Sequence, residues 1–115
     1  MDAKVNKMSR LFLPLTSEAF GWYNLSKDVE VRKLKGRFKS KLIHKYKFAE
    51  LRKGYSGASK YATITRMIIY NSSQELFDDV TYNRVIPVAK SRKDAERLVS
   101  DYIGTESVIA IFLSF

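Results

Sequence analysis

Lys27, Glu30 and Arg32, within SKDVEVRKLKGRF (residues 26–38), set one carboxylate between two cations. From Asp28 to Lys33 the chain alternates polar and apolar. Val29 and Val31 therefore face one way and Asp28, Glu30 and Arg32 the other, the period of two that marks a strand. Lys27 stands at the strand mouth, from which its long side chain can swing toward the Glu30/Arg32 face. Lysine and arginine contact phosphates, and a carboxylate among them can accept base amino hydrogens or hold an arginine in place. A second group lies in LRKGYSG (residues 51–57). There Arg52 and Lys53 precede a glycine turn that carries Tyr55 and Ser56. An exposed aromatic in such a turn can stack on an unpaired base, and the amides of Gly54 and Gly57 allow a phosphate to come close. The two stretches are expected to converge at one rim. Lys27, Glu30, Arg32, Arg52, Lys53, Tyr55, Ser56 and Lys60 make up the candidate nucleic-acid-binding set. A solvated strand and an ordinary hairpin turn remain the bland alternative.

Charge favours the first reading. The 115 residues carry a net +9, but Lys27 to Arg66 holds thirteen Lys/Arg against three Asp/Glu, a net +10, and the rest of the chain nets −1. A positive excess confined to one third of the chain points to a polyanionic partner, because neutralised phosphates release condensed counterions. RNA or another nucleic acid is the expected partner; a nucleotide or modified nucleoside and an acidic protein are the alternatives, a membrane surface would also suit the charge, and no membrane role is expected. With no cysteine, disulfides, thiolate metal sites and a Cys nucleophile are excluded. His44, the single histidine, lies in a basic run with no acid beside it, so it reads as a solvated neighbour rather than a general base, and no metal site or cofactor is expected. RKGYSGASK lacks the spacing of a P-loop, and Asp78–Asp79 reads as a solvated helix end. The opening residues lack a signal peptide's pattern and no apolar run approaches a membrane span, so a cytoplasmic protein is the default.

The elements that must position these residues follow from periodicity. One domain is expected, with residues 1–7 frayed and the domain running from 8 to 115. Arg10–Leu15 reads as a strand, and Thr16 or Ser17 caps a short helix with Ala19, Phe20, Tyr23 and Leu25 on its buried face and Trp22 beside them. Residues 34–45 form a basic connection, Tyr46–Lys53 a strand and Lys60–Tyr70 the clearest strand, with Tyr61, Thr63, Thr65, Met67 and Ile69 on one face. Ser72 or Ser73 starts a helix to Asp79, residues 81–89 are irregular, Ser91 caps Arg92–Tyr102, and Gly104 stops it. Val108–Phe115 is a buried closing strand. Consecutive strands without crossover helices predict an antiparallel or mixed, strongly curved sheet, an α+β fold built as a small barrel with short flanking helices.

LFLPLTSEAFGWYNLSKDVEVR, with the later LRKGYSG, the long strand after it and the closing VIAIFLSF, resembles the activating-signal-cointegrator homology (ASCH) domain, a PUA-like fold, over roughly residues 9–115. That family carries a Gly-x-Lys-x-x-Glu-x-Arg signature, whose charged positions fall on Lys27, Glu30 and Arg32; Leu25 stands where the signature has glycine. The resemblance implies a β-barrel with a cleft lined by the signature that binds RNA or a nucleotide. It also implies alternatives, since some small relatives are amidohydrolases of acetylated cytidine and a few have been described as ribonucleases. In the amidohydrolases a lysine, matched by Lys27, acts with a threonine nucleophile three residues later. Glu30 occupies that threonine's position and removes the hydroxyl, which argues against this activity; Lys27 and Glu30 would be the acid/base pair of any other hydrolase. A protein-interaction module is the remaining reading.

Overall fold

The computed structural model describes residues 10–115. The stretch expected to fray, 1–7, and the expected domain start at residue 8 lie outside them.

Strand β1 (Arg10–Leu15) buries Leu11, Leu13 and Leu15 and turns Arg10, Phe12 and Pro14 the other way. The Thr16 hydroxyl then accepts from the Ala19 amide at 3.1 Å, capping helix α1 (Ser17–Gly21), which tightens into a 3₁₀ turn over Trp22–Asn24. Strand β2 is Val29–Lys33. Two 3₁₀ turns, Gly36–Lys39 and Lys41–Lys45, carry the basic connection to β3 (Phe48–Lys53), from which a tight turn leads to β4 (Ser59–Tyr70). Ser72 caps helix α2 (Ser73–Asp79) and Ser91 caps helix α3 (Arg92–Ile103) through hydroxyls accepting from Glu75 and Asp94 amides. Gly104, at φ 99°, ends α3 in a conformation that favours glycine. Strand β5 is Val108–Ser114.

The five strands form one curled sheet in the order β1-β3-β4-β5-β2. β1 runs parallel to β3 and every other pair is antiparallel, so the sheet is mixed. β5 lies between β4 and β2 and is buried on both faces. Its Ile109, Ile111 and Leu113 join Leu11, Leu13, Ala49, Leu51 and Ala62 in an inner core plugged by Tyr23 and Ile43. Its Val108, Ala110 and Phe112 join Val29 and Val31 in a second core under α2 and α3, completed by Leu76, Ala95 and Val99. β1 and β2 are left as the sheet's two unpaired edges, the positions where a strand's backbone groups lack partners.

The strict alternation expected along β4 breaks at Thr65. Pairing runs Ile64 to Leu113 and then Arg66 to Phe112, a β-bulge that leaves Thr65 over, with its hydroxyl donating to the Phe112 carbonyl at 3.2 Å. Ala62, Ile64 and Met67 consequently serve the inner core, whereas Ile68 and Tyr70 serve the helix-side core. Even-numbered residues therefore face the inner core before the bulge and the helix-side core after it. Leu25 is another departure: expected on a buried face, it is 63% exposed.

Two glycines predict opposite effects of one added methyl group. At Gly57 a Cβ would lie 2.3 Å from the Lys53 carbonyl oxygen, whose place is fixed by a hydrogen bond from the Gly57 amide. At Gly21, in α1, a Cβ meets nothing within 4 Å. Gly57→Ala is expected to lower stability by about 1–3 kcal/mol, and Gly21→Ala to raise it by about 0.5–1 kcal/mol, both read by urea unfolding. The bond from Tyr70 Oη to Asp79 at 2.5 Å ties β4 to α2; burial and Asp79 push that phenol up to about 12. A raised acid pKa adds stability that is whole below about pH 10 and is lost between pH 10 and 12. Tyr70→Phe is expected to cost about 1 kcal/mol at neutral pH and to flatten that alkaline decline, measured as urea midpoints across pH.

Candidate functional site

The free edge of β2 is where the signature residues gather. Val29 and Val31 face the helices, and Glu30 and Arg32, opposite Ile111 and Ile109, face the inner side. Residues 26–28 are fastened to the loop after α2. The Ser26 hydroxyl donates to the Asn83 carbonyl at 2.7 Å, the Asp28 amide to the Arg84 carbonyl at 3.0 Å, and Arg84 returns two bonds to the Asp28 carboxylate at 2.8 and 3.2 Å. Leu25, in the place of the signature glycine, makes the turn at φ −104°, so no left-handed backbone is needed there.

Lys27 is driven inward by this fastening and is only 6% exposed. Its ammonium donates to the carbonyls of Val29 at 2.9 Å and Val85 at 2.6 Å, sits 3.5 Å from Glu30 Oε1, and lies 5.3 Å from the centre of the Tyr23 ring. Burying an unpaired ammonium costs several kcal/mol, and these partners remove that cost. Lys27 is therefore an anchor whose donors are occupied, not a side chain free to reach a phosphate. Burial lowers its pKa, with Glu30 opposing.

Glu30 is also buried. Its Oε1 accepts from Tyr23 Oη at 2.5 Å and its Oε2 from Arg32 Nε at 2.6 Å. Burial alone would push the carboxyl up, but Lys27, Arg32 and the Tyr23 hydroxyl together hold it below the usual carboxylate range. The Tyr23 phenol is pushed well above its ordinary value by burial and by Glu30. Arg32 Nη2 reaches across to the Pro14 carbonyl at 2.9 Å, bridging β1 and β2 where no backbone pairing joins them. Among the described residues nothing accepts from Arg32 Nη1, and its side chain is 21% exposed.

Lys27, Glu30 and Arg32 form the charged floor of a hollow of about 290 Å³. α1 supplies Ala19 and α3 supplies Leu98, Val99 and Tyr102, while Trp22 and Val85 close the sides. The volume stands at the small end of the range of ligand sites, roughly 300–1,000 Å³, and apolar walls with a few converging polar groups are the usual make-up of such sites.

The expectation that the second stretch shares this rim is corrected. Arg52 and Tyr55 border a different, open hollow of about 460 Å³ with Arg10, Phe12 and Glu50, and the two linings have no residue in common. The reason is strand parity: β3 lies on the far side of β4 and β5 from β2, and Arg52 projects from the outer face. Lys53 and Ser56 are exposed at the β3–β4 turn and line neither hollow, and Lys60 reaches Asn24 Oδ1 in the 3₁₀ turn. Sequence reasoning assigned Trp22 to core packing, yet it lines the first hollow; Tyr102 recurs with Ala95, Leu98 and Val99 at helical spacing and so reads as part of the apolar face, yet it is 74% exposed and lines the hollow too. Arg10, Phe12 and Glu50 were missed as well, although Glu50 is the lone acid between Arg32 and Arg66 and was visible as such. Among the described residues no cluster of three His, Asp or Glu could hold a metal, and no helix is long and apolar enough to cross a membrane.

No family model and no curated protein sequence matches the chain. Solved structures do match its shape. The hypothetical protein PH0355 superposes with a TM-score of 0.68 at 14% identity, over 91% of this chain and 97% of that one. Protein PF0455 from Pyrococcus furiosus gives 0.64 at 18%, over 91% and 96%. The ASCH protein of Zymomonas mobilis gives 0.60 at 16%, over 93% of this chain and 68% of that one. With its five-stranded curled half-barrel and three short helices, this chain has the α+β, PUA-like fold of the ASCH domain.

Proposed function

We propose that the chain binds RNA and seats one unpaired base, or a modified nucleoside, in the hollow above Lys27, Glu30 and Arg32. The observation that carries this is the floor itself: three charges netting one positive beneath mainly apolar walls, with exposed Glu18 the one further charged side chain on the lining, in a chain whose residues 27–66 net +10. A flat base fits between Trp22 and the α3 side chains. Oε1 is taken up by Tyr23 and Lys27, but Oε2 accepts from Arg32 alone and keeps a second acceptor position, so Glu30 can take a base amino hydrogen there. Arg32 Nη1 is the donor left for a base oxygen or a phosphate. Lys27 contributes by keeping Glu30 ionised rather than by touching the guest.

A hydrolase reading has one observation in its favour, the lowered pKa of Lys27. Against it, the ammonium protons are held by two carbonyls, and Glu30, where a nucleophile would stand, is spent on Tyr23 and Arg32. Incubation with acetylated nucleosides and with RNA, followed by product analysis, separates the two, and an unreacted substrate beside firm RNA binding favours the first.

The binding test uses labelled single-stranded and hairpin RNA, with the fluorescence of Trp22, the single tryptophan, as a reporter inside the hollow. Affinity is expected to fall steeply between about 50 and 200 mM salt. Arg32→Ala should weaken binding about tenfold, or about 1.4 kcal/mol, and abolish most of the Trp22 response. Absence of binding at the lower salt ends this reading, and a pull-down that survives nuclease treatment replaces it with a protein partner.

A further inference from the structure

The sheet has a second exposed face that the hollow does not use. Where β1, β3 and the first half of β4 (residues 59–64) turn away from the inner core, no helix covers them among the described residues. Strand register sets Phe12 and Tyr61 on either side of Glu50. Glu50 is 1% exposed despite its place on this outer face, because its partners cover it. Arg10 Nε lies 3.1 Å from Oε1, the Ser59 hydroxyl donates to Oε2 at 2.7 Å, and Arg52 Nη2 donates to the same oxygen. A buried carboxylate persists only when paired in this way.

The consequence is an ordered layer. Glu50 pins two guanidiniums, and each stacks on a ring: Arg10 lies 5.8 Å from the centre of Tyr61, and Arg52 lies 5.1 Å from the centre of Phe12. Phe12 and Tyr55 continue the layer with ring centres 6.2 Å apart. Tyr55 is 78% and Tyr61 58% exposed. Arg37 donates to the Phe12 carbonyl, which brings the basic connection to the margin of the layer. From Lys35 to Lys47 that connection holds six exposed Lys/Arg and no acid.

We propose that this face is a second nucleic-acid site, a platform on which unpaired bases of a single strand stack along Tyr61, Phe12 and Tyr55 while the basic connection holds the phosphates. It rests on the nucleic-acid reading above for the class of partner, not on the hollow. Charge complementarity selects a polyanion, and the row of exposed rings selects one that carries flat faces, since every base presents a π-face to an aromatic. The same geometry makes the site indifferent to sequence. Glu50 is buried, and each Arg52 nitrogen already donates one bond, to Ser59, Tyr55 and Glu50, so Arg52 is held against Phe12 and the rings carry the contact.

The test is fluorescence anisotropy on the full chain with labelled thymidine and uridine oligomers of about 12 nucleotides, within the site sizes that single-strand platforms occupy. The two are expected to bind within a few-fold of each other. Tyr55→Ala and Tyr61→Ala should each weaken both by about tenfold without changing the slope of affinity against salt. Tyr55→Phe and Tyr61→Phe should bind as the wild type does, which ties the loss to the ring rather than to folding. Undiminished binding by both alanine variants overturns the platform. So does equal competition by poly-glutamate, which would mean that charge alone is read. Loss on Arg32→Ala with a Trp22 response, but not on the tyrosine variants, places the strand in the hollow: the platform then falls and the proposed function stands. Loss on the tyrosine variants with no Trp22 response to RNA and no effect of Arg32→Ala keeps the platform and removes the base-seating hollow.

Discussion

A carboxylate buried at an unpaired strand edge is the constraint around which this molecule is arranged. Glu30 faces the gap between β1 and β2, where no backbone pairing closes the sheet. Its charge needs compensation from several directions, and each compensating group comes from, or is held by, a different element. Tyr23 comes from the turn after α1, Lys27 brings with it the Val85 carbonyl of the loop after α2, and Arg32 crosses to Pro14 on β1. Satisfying one carboxylate thus gathers a helix turn, a loop and the opposite sheet edge. The hollow is the space that these elements enclose when they meet.

Glu50 repeats the device on the outside. Both glutamates are nearly inaccessible, both sit beside two cations, and both are held below the ordinary carboxylate range although burial alone would raise them. The difference lies in what the cations do next. Around Glu30 they shape a recess lined by apolar side chains. Around Glu50 they lie against aromatic rings on an open surface. The fold therefore presents its cationic character in two forms, one an enclosed recess and one an open face.

Strand and helix positions were legible because local signals agreed. Leu11, Leu13 and Leu15 alternate, Thr16, Ser72 and Ser91 cap, and Gly104 stops α3. The bulge at Thr65 was not legible, because an extra residue leaves no mark in a β-branched run; only the pairing with β5 reveals it. The signature side chains share a face, as the alternation of residues 28–33 implied. Their separation from Arg52 and Tyr55 could not be read, since it depends on strand order, and strand order is set by contacts far apart in the chain. Nor did alternation say that Lys27 is sealed in, because the carbonyl of Val85 that receives it belongs to an irregular segment.

Strand order has one more effect. β2 comes early in the chain, but among the described residues its one strand neighbour is β5, which follows after both longer helices. β4 likewise meets β5 late, while β1, β3 and β4 can assemble among themselves. During synthesis the three-stranded part, with its aromatic layer, can take shape first on the ribosome. The charged recess is completed only when β5 pairs between β4 and β2, a long-range closure of the kind that slows folding.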